Sequence, residues 1–305
     1  MNNQGKVLVL GGSGFLGSHV ADRLSIDGYD VRIFDRQYSR YLRNDQSMIV
    51  GDILDQKALS TAAEGCDYLY NFAGIADIHD AHENPVLTNQ LNVLGNTYAL
   101  EAAKQCGIKR YVFASTVYVY SNSGSFYRVS KQAAEKFIEA YYDAYGLEFT
   151  ILRYGSLYGR RADMRNSIYR YIKEALINKK IIYDGSKHSM REYIQVEDAA
   201  KLSVQILRDE FVNKHIILTG QEKMAVHQLF KMISEMMPHL IDIEYTPGMQ
   251  DGHYEYTPYK FQPSLGEKLV LNAFIDLGQG ILDIMADIHA NLSENTVSKL
   301  VEELV

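Results

Sequence analysis

The chain has 305 residues, 47% of them apolar and 23% charged, with a formal net charge of −7. These values describe a soluble globular protein with room for a substantial core, and the acidic balance offers no support for nucleic-acid or membrane binding. No apolar run reaches the roughly 20 residues of a membrane span, MNNQGK shows no signal-peptide pattern, and Cys66 and Cys106 lack metal-ligand spacing, so a cytoplasmic protein with reduced thiols and no metal is expected.

The first element is Lys6–Gly17, KVLVLGGSGFLG. A buried strand, Val7–Leu10, runs into glycines at 11, 14 and 17, and a helix opens at Phe15. Gly11 allows the tight turn, Gly14 lets backbone approach a pyrophosphate, and Gly17 lets helix pack on strand. The helix start offers unpaired N–H groups and the positive end of a dipole. Asp35 closes the next strand, Val31–Phe34, at the distance a ribose-binding acid requires. The turn, with Phe15 and Leu16 inside it, is therefore expected to bind a dinucleotide.

A polar stretch, Arg36–Gln46, leads to strand Met48–Val50 and to Gly51-Asp52, followed by a helix over Lys57–Glu64. Strand Tyr68–Phe72 ends in Ala73-Gly74, small residues that suit backbone running under a ligand. His79 and His82 follow and are expected to be solvated loop residues. A long helix is expected over Asn89–Cys106, with Leu91, Leu94, Tyr98 and Ala102 at helical spacing and Asn92 and Asn96 one turn apart. Strand Tyr111–Ala114 leads to Ser115-Thr116, a helix runs from Tyr127 to Tyr145, and a sixth strand covers Phe149–Arg153. This alternation predicts an α/β doubly wound parallel sheet of Rossmann type over residues 1–155, completed by about 190–220. Residues 156–189 and 221–305 form a smaller C-terminal substrate-binding cap wrapped onto it. In the cap a helix is expected over Ser167–Asn178, strands at Ile181–Tyr183 and Arg191–Val196, and a helix from Glu197-Asp198. His215–Leu218 returns to the sheet. Tyr245–Pro263 reads as loop, and two helices, about Leu277–Ala290 and Thr296–Leu304, close the chain.

The chemistry is expected at Thr116, Tyr127 and Lys131. Tyr127 and Lys131 are four apart on one helix and share a face. A phenol titrates near pH ~10 in water, and a neighbouring ammonium together with a positive nicotinamide ring lowers that value. The phenolate can then take a proton from a hydroxyl while hydride leaves the same carbon. Thr116 can hold the same oxygen in line.

Gly11-Gly12-Ser13-Gly14-Phe15-Leu16-Gly17, Asp52, Asn92-Val93-Leu94-Gly95, Ser115-Thr116, Tyr127-Arg128-Val129-Ser130-Lys131 and Arg191-Glu192-Tyr193-Ile194 occur in the order seen in the extended short-chain dehydrogenase/reductases. The chain resembles this family, the NAD-dependent nucleotide-sugar epimerases and dehydratases, over about residues 5–220 and more loosely beyond. The resemblance implies that Asp35 binds the adenosine ribose and favours NAD over NADP, with Arg36 beside it able to accept a 2′-phosphate. It places Asp52 and Ile53 by the adenine, and Phe72, Ala73, Gly74, Ser115 and Tyr154 along the cofactor. Lys131 would also hold the nicotinamide ribose, and Asn92 would keep the active-site helix in register. Arg191 would grip the diphosphate of a nucleoside-diphosphate sugar, a task suited to a guanidinium fork, with Ser156 and Thr116 also on the substrate.

Departures from the family narrow the reaction. Val117 and Tyr118 stand where family dehydratases and decarboxylases carry acids. Ser156 replaces an asparagine, Arg160 replaces a proline, and the segment between Tyr120 and Tyr127 is short. The expected activity is epimerisation of a nucleoside-diphosphate sugar at C4, by transient hydride transfer to NAD through a keto intermediate. Alternatives are a nucleotide-sugar ketoreductase or dehydrogenase, then a decarboxylase or 4,6-dehydratase, then a non-catalytic NAD-binding protein. A homodimer is implied through the helices Asn89–Cys106 and Tyr127–Tyr145, with Tyr141, Tyr142 and Tyr145 compatible with either an interface or a core-facing stripe.

Overall fold

Side chains alternate across a strand, and here the alternation sorts the core into two layers. Val7 and Val9 join Val20 and Leu24 on one face of the sheet, while Leu8 and Leu10 join Leu59, Leu100 and Ile138 on the other. The computed structural model describes residues 4–221, 223–246, 266–270 and 273–302. In chain order the sheet strands are β1 (Lys6–Leu10), β2 (Asp30–Asp35), β3 (Gln46–Val50), β4 (Tyr68–Asn71), β5 (Arg110–Thr116) and β6 (Phe149–Tyr154). Between them lie helices α1 (Phe15–Ile26), α2 (Gln56–Ala63), α3 (Ile78–Glu83), α4 (Pro85–Asn89), α5 (Gly95–Gln105) and α6 (Ser125–Tyr145). The later elements are β7 (Ser156–Tyr158), α7 (Ser167–Asn178), β8 (Lys180–Asp184), β9 (Met190–Gln195), α8 (Val196–Gln205) and β10 (Lys214–Leu218). They are followed by β11 (Lys223–Ala225), α9 (Val226–Met236), β12 (Asp242–Thr246), β13 (Gly266–Lys268) and α10 (Leu277–Glu302).

The large sheet has the order β13-β10-β6-β5-β4-β1-β2-β3, and all its pairings are parallel. The order reverses between β1 and β4, and a parallel sheet binds its ligand in the crevice at the carboxyl ends of the strands at such a point. This is the expected doubly wound Rossmann sheet. Around a third cluster of Ile172, Phe230, Ile233, Ile281 and Ile284, helices α7, α9 and α10 pack with β8 and β12. The rings of Tyr171, Tyr183 and Phe230 meet there edge to face. Arg161, in the segment leading into this cluster, binds Asp22 of α1 at 2.7 Å and lies 4.3 Å from the centre of the Tyr41 ring.

Three segments differ from expectation. The helix foreseen over Asn89–Cys106 is broken by a π-helical turn, Gln90–Leu94, between α4 and α5. His79 and His82 lie on the short helix α3 rather than in a loop; it is capped by Asp77, and six residues are too few to show a helical period. The two C-terminal helices are one continuous helix, α10, because a polar stretch need not interrupt backbone hydrogen bonding. Of the expected loop Tyr245–Pro263, Tyr245 and Thr246 close β12, and residues 247–263 lie outside the described residues. Cys66 is buried and Cys106 half-buried, both as free thiols.

Behind the carboxyl ends of β5 and β6 lies a buried ion pair. Arg153 donates to both carboxylate oxygens of Glu135, at 3.1 and 2.7 Å. Glu135 also accepts from the Ser115 hydroxyl at 2.5 Å, and Arg153 bonds the Tyr120 hydroxyl beneath its ring. Removing one charge of such a pair strands the other. Glu135→Gln is therefore expected to cost roughly 3 to 5 kcal/mol, read as a fall in the denaturant midpoint; a change under ~1 kcal/mol would show the pair to be dispensable.

Candidate active site

The crevice is built from adjacent strand ends. Gly11 has φ +74°, and a Cβ there would lie 2.7 Å from the Ala73 nitrogen. A Cβ on Gly17 would press into the Gly11 carbonyl oxygen, and one on Gly14 would stand 3.2 Å from it. Only glycine permits this approach between the β1 turn, the α1 start and the end of β4. No side chain caps α1, and its first turn carries no acid. The first N–H groups of α1 thus suit a pyrophosphate. Phe15 and Leu16 open that helix.

Asp35 accepts from the Ser13 nitrogen at 3.0 Å and from the Gln37 nitrogen at 3.1 Å, so its carboxylate joins the glycine turn to the end of β2. Arg36 beside it is exposed. Asp52 accepts from the Leu54 nitrogen at 2.9 Å, and Ile53 is buried against Gly95. Phe72 stacks on Tyr70, and Ala73 donates its N–H to Asn71.

Gly74 has φ +138°, and a Cβ there would collide with the Asn92 carbonyl oxygen. The Asn92 amide accepts from the Ile75 nitrogen at 2.8 Å and donates to the Ile75 oxygen at 2.9 Å. It also donates to the Ser130 hydroxyl at 2.9 Å, which bonds the Tyr127 carbonyl at 2.8 Å. One side chain thereby ties the loop after β4 to α6.

Thr116, Tyr127 and Lys131 are brought together and buried. Thr116 lies near enough to the Tyr127 phenol to oppose the rise that burial causes, its hydroxyl oxygen accepts from the Tyr118 nitrogen at 3.2 Å, and Tyr118 lies edge-on to the Tyr127 ring at 6.3 Å. Lys131 donates to the Ala114 carbonyl at 2.9 Å, with its ammonium 4.7 Å from the Phe113 ring centre and 6.0 Å from that of Tyr127. Burial pushes the Tyr127 phenol up to about 12 despite the opposing influence of Thr116, with the Asp77 charge adding to the rise. Burial pulls Lys131 down to about 8, opposed by the charge of Glu135. The expected depression of the phenol by its lysine is therefore not present in the protein alone. Desolvation disfavours both charged forms, and it is the largest cause of both shifts.

The hydroxyls of two other expected site residues are engaged elsewhere. The Ser115 hydroxyl serves Glu135, and the Tyr154 hydroxyl meets Ser203 of α8 at 2.6 Å. Ser156 is half-buried on β7 opposite Tyr193 of β9. Arg191 is buried on β9, opposite Met224, and donates to the Met190 carbonyl at 3.0 Å. Among the described residues no cluster of metal-binding side chains occurs.

The glycine turn after β1 and the buried tyrosine and lysine of α6 lie within residues 7–220, which the profile of the NAD dependent epimerase/dehydratase family matches. The chain belongs to this family. A putative UDP-glucose 4-epimerase of Methanocaldococcus jannaschii is 32% identical over 302 residues, covering 90% of this chain and 95% of the relative. Two solved members of the epimerase/dehydratase fold are similar in structure. The Thermotoga maritima UDP-glucose 4-epimerase with UDP-glucose has a TM-score of 0.81 at 21% identity, covering 94% of this chain and 99% of its own. The Thermus thermophilus UDP-glucose 4-epimerase with NAD has a TM-score of 0.80 at 23% identity, covering 93% and 99%.

Within this family member, sequence reasoning missed three residues that support the site: Asp77, Ser130 and Glu135. Asp77 carries an Asp-x-x-Asp capping pattern, and Glu135 lies one turn beyond Lys131 on α6, which are the local signals available. Buried Lys131 also yields a test. Between pH 8 and 10.5 the unfolded chain holds a proton that the folded chain has released, so this group's penalty on stability is full below pH 8 and shrinks as pH rises. Lys131→Met should thus gain up to about 3 kcal/mol near pH 7 and almost nothing near pH 11, measured by denaturant unfolding at both values; a loss at pH 7 would contradict the burial penalty.

Proposed function

We propose that this chain is an NAD-dependent epimerase of a nucleoside-diphosphate sugar, acting at C4. The observation that carries the reading is the buried set of Thr116, Tyr127 and Lys131, where α6 meets the end of β5, two strands from the glycine turn. On this reading residues 1–155, completed by about 190–220, hold NAD, and residues 156–189 and 221–305 hold the sugar. The glycines and the start of α1 take the pyrophosphate, Asp35 the adenosine ribose, and Asp52 and Ile53 flank the adenine. Arg191, Ser156 and Thr116 face the substrate. The sugars named for the similar proteins are UDP-linked, which makes UDP-glucose the first substrate to try.

NAD supplies reversible oxidation of the sugar carbon when bound. Thr116 holds the reacting hydroxyl oxygen, and Tyr127 removes its proton and later returns it. The phenol needs another positive charge beside it before it can act as a base near neutral pH, and oxidised NAD carries one. Lys131 holds its ammonium against the Ala114 carbonyl and would hold the nicotinamide ribose when NAD is bound. Val117 and Tyr118, directly after Thr116, supply no acid for water elimination or decarboxylation. A cycle without net redox change follows from chemistry that needs only proton transfer and reversible oxidation.

Purified protein should convert UDP-glucose to its C4 epimer with no net change in nicotinamide absorbance; steady consumption of NAD would instead identify a net oxidoreductase. Tyr127→Phe should cut turnover by about 10³-fold or more while NAD, released by denaturation and identified by mass spectrometry, stays bound. Unchanged turnover would remove Tyr127 from its role.

The proposed assembly is a homodimer. On α6, Phe126, Val129 and Phe137 are exposed along one stripe, and Leu94 of the π-helical turn is exposed nearby in the chain fold. Tyr142 and Tyr145 are exposed too, whereas Tyr141 is buried with its hydroxyl on Glu101. Such an apolar face favours burial against a second copy. Val129→Glu with Phe137→Glu should give a monomer by sedimentation; a wild-type monomer would refute the assembly. No helix among the described residues is long and apolar enough to cross a membrane, and a cytoplasmic location is part of the proposal.

A further inference from the structure

We infer that Asp77 is a substrate-binding residue: its carboxylate accepts a hydroxyl of the sugar beside the reacting carbon and turns away sugars that carry a carboxylate. This rests on the epimerase reading of the same site. Asp77 comes from an element that the family motifs do not touch. It ends the loop that leaves β4 through Ala73 and Gly74, and it caps α3.

The loop is held on both sides of Asp77. Ahead of it, the Ile75 nitrogen and oxygen are both bound by the Asn92 amide. After it, Ile78 and Ala81 pack directly with Tyr127, and Ile75 and Tyr118 complete that cluster. Asp77 is thereby fixed beside the reactive phenol by backbone and packing, not by a flexible stem.

One oxygen of its carboxylate accepts from the Asp80 nitrogen at 2.9 Å. The other has no hydrogen-bond partner among the described residues, and the side chain is half-buried. Its charge reaches the Tyr127 phenol and adds to the rise caused by burial. The charged and titratable groups around this phenol are few. From α6 comes Lys131, engaged with Ala114. From α3 come His79, His82 and Asp80, the last 3.6 Å from the exposed Arg165. Tyr118 faces the phenol from the turn after β5. Neither Lys131 nor Arg165 forms an ion pair with Asp77.

A half-buried, uncompensated carboxylate with one open oxygen is a strong acceptor for a hydroxyl. It is also a poor neighbour for a second carboxylate in a partly desolvated crevice. The pocket should therefore prefer a neutral hexose to the corresponding uronic acid.

The test is calorimetric binding of UDP-glucose and UDP-glucuronate to the full chain saturated with NAD and carrying Tyr127→Phe to block turnover. UDP-glucose is expected to bind at least tenfold more tightly. Adding Asp77→Asn, which keeps an oxygen for the α3 cap, should bring the two affinities within threefold, weakening UDP-glucose and tightening UDP-glucuronate. Asp77→Ser, another capping residue, should do the same if the asparagine variant fails to fold. Equal binding of the two sugars with Asp77 in place, or a ratio unchanged by both variants, would overturn the role of Asp77 alone. Failure to bind either sugar or UDP itself would overturn the nucleotide-sugar reading as well.

Discussion

The site depends on the amide of Asn92. Its carbonyl and its NH2 group satisfy both backbone groups of Ile75, and a second N–H reaches the Ser130 hydroxyl on the catalytic helix. Three pieces that are distant in sequence are thus set against one planar group: the loop after β4, the π-helical turn and the helix carrying Tyr127. The amide is almost wholly buried, so each unmade bond would cost its full desolvation penalty. Gly74 follows from the same demand, since any side chain would displace the amide oxygen. The π-helical turn at Gln90–Leu94 belongs with it, because a local change of helical register re-aims a side chain without bending the rest of the helix.

Around that joint the electrostatics oppose ionisation. The phenol of Tyr127 is raised and the ammonium of Lys131 is loosened, both chiefly by burial. Glu135 stands one turn behind the lysine and partly restores its charge, and it is itself neutralised by Arg153. In the protein alone the phenol stays neutral near pH 7, while the lysine keeps its proton less firmly than in water. On the proposed function, a cationic ring bound in the crevice would reverse that balance for the phenol, so that the group would be armed by what binds beside it.

Local spacing made much of this legible in the sequence. The glycine turn, Asp35 and the run of strands show as contiguous patterns, and Tyr127 and Lys131 share a helix face by arithmetic alone. What depends on contact through space did not show. The Glu135–Arg153 pair joins α6 to β6, and Asp77 meets Tyr127 only because α3 packs on α6; neither leaves a periodic trace. The rise of the phenol in the protein alone left no trace in the sequence for the same reason, since desolvation follows depth of burial rather than neighbours in the chain. Helix α3 lacks the length to reveal a period. The hydroxyls of Ser115 and Tyr154 lie in cofactor-like positions along the sequence, yet strand alternation turns them toward Glu135 and Ser203.

Arg161 couples two parts of the molecule that motif reading treats as separate. Its backbone sits at φ +65°, its guanidinium is bound to Asp22, and it rests on the ring of Tyr41. Tyr41 belongs to the stretch just after Asp35, the region where nucleotide preference would be rewritten by exchanging a loop. Any such exchange removes the platform under the guanidinium and loosens the anchorage of the segment entering α7. On the proposed function, coenzyme choice and sugar recognition in this chain would therefore not be independent dials for engineering, or for evolution.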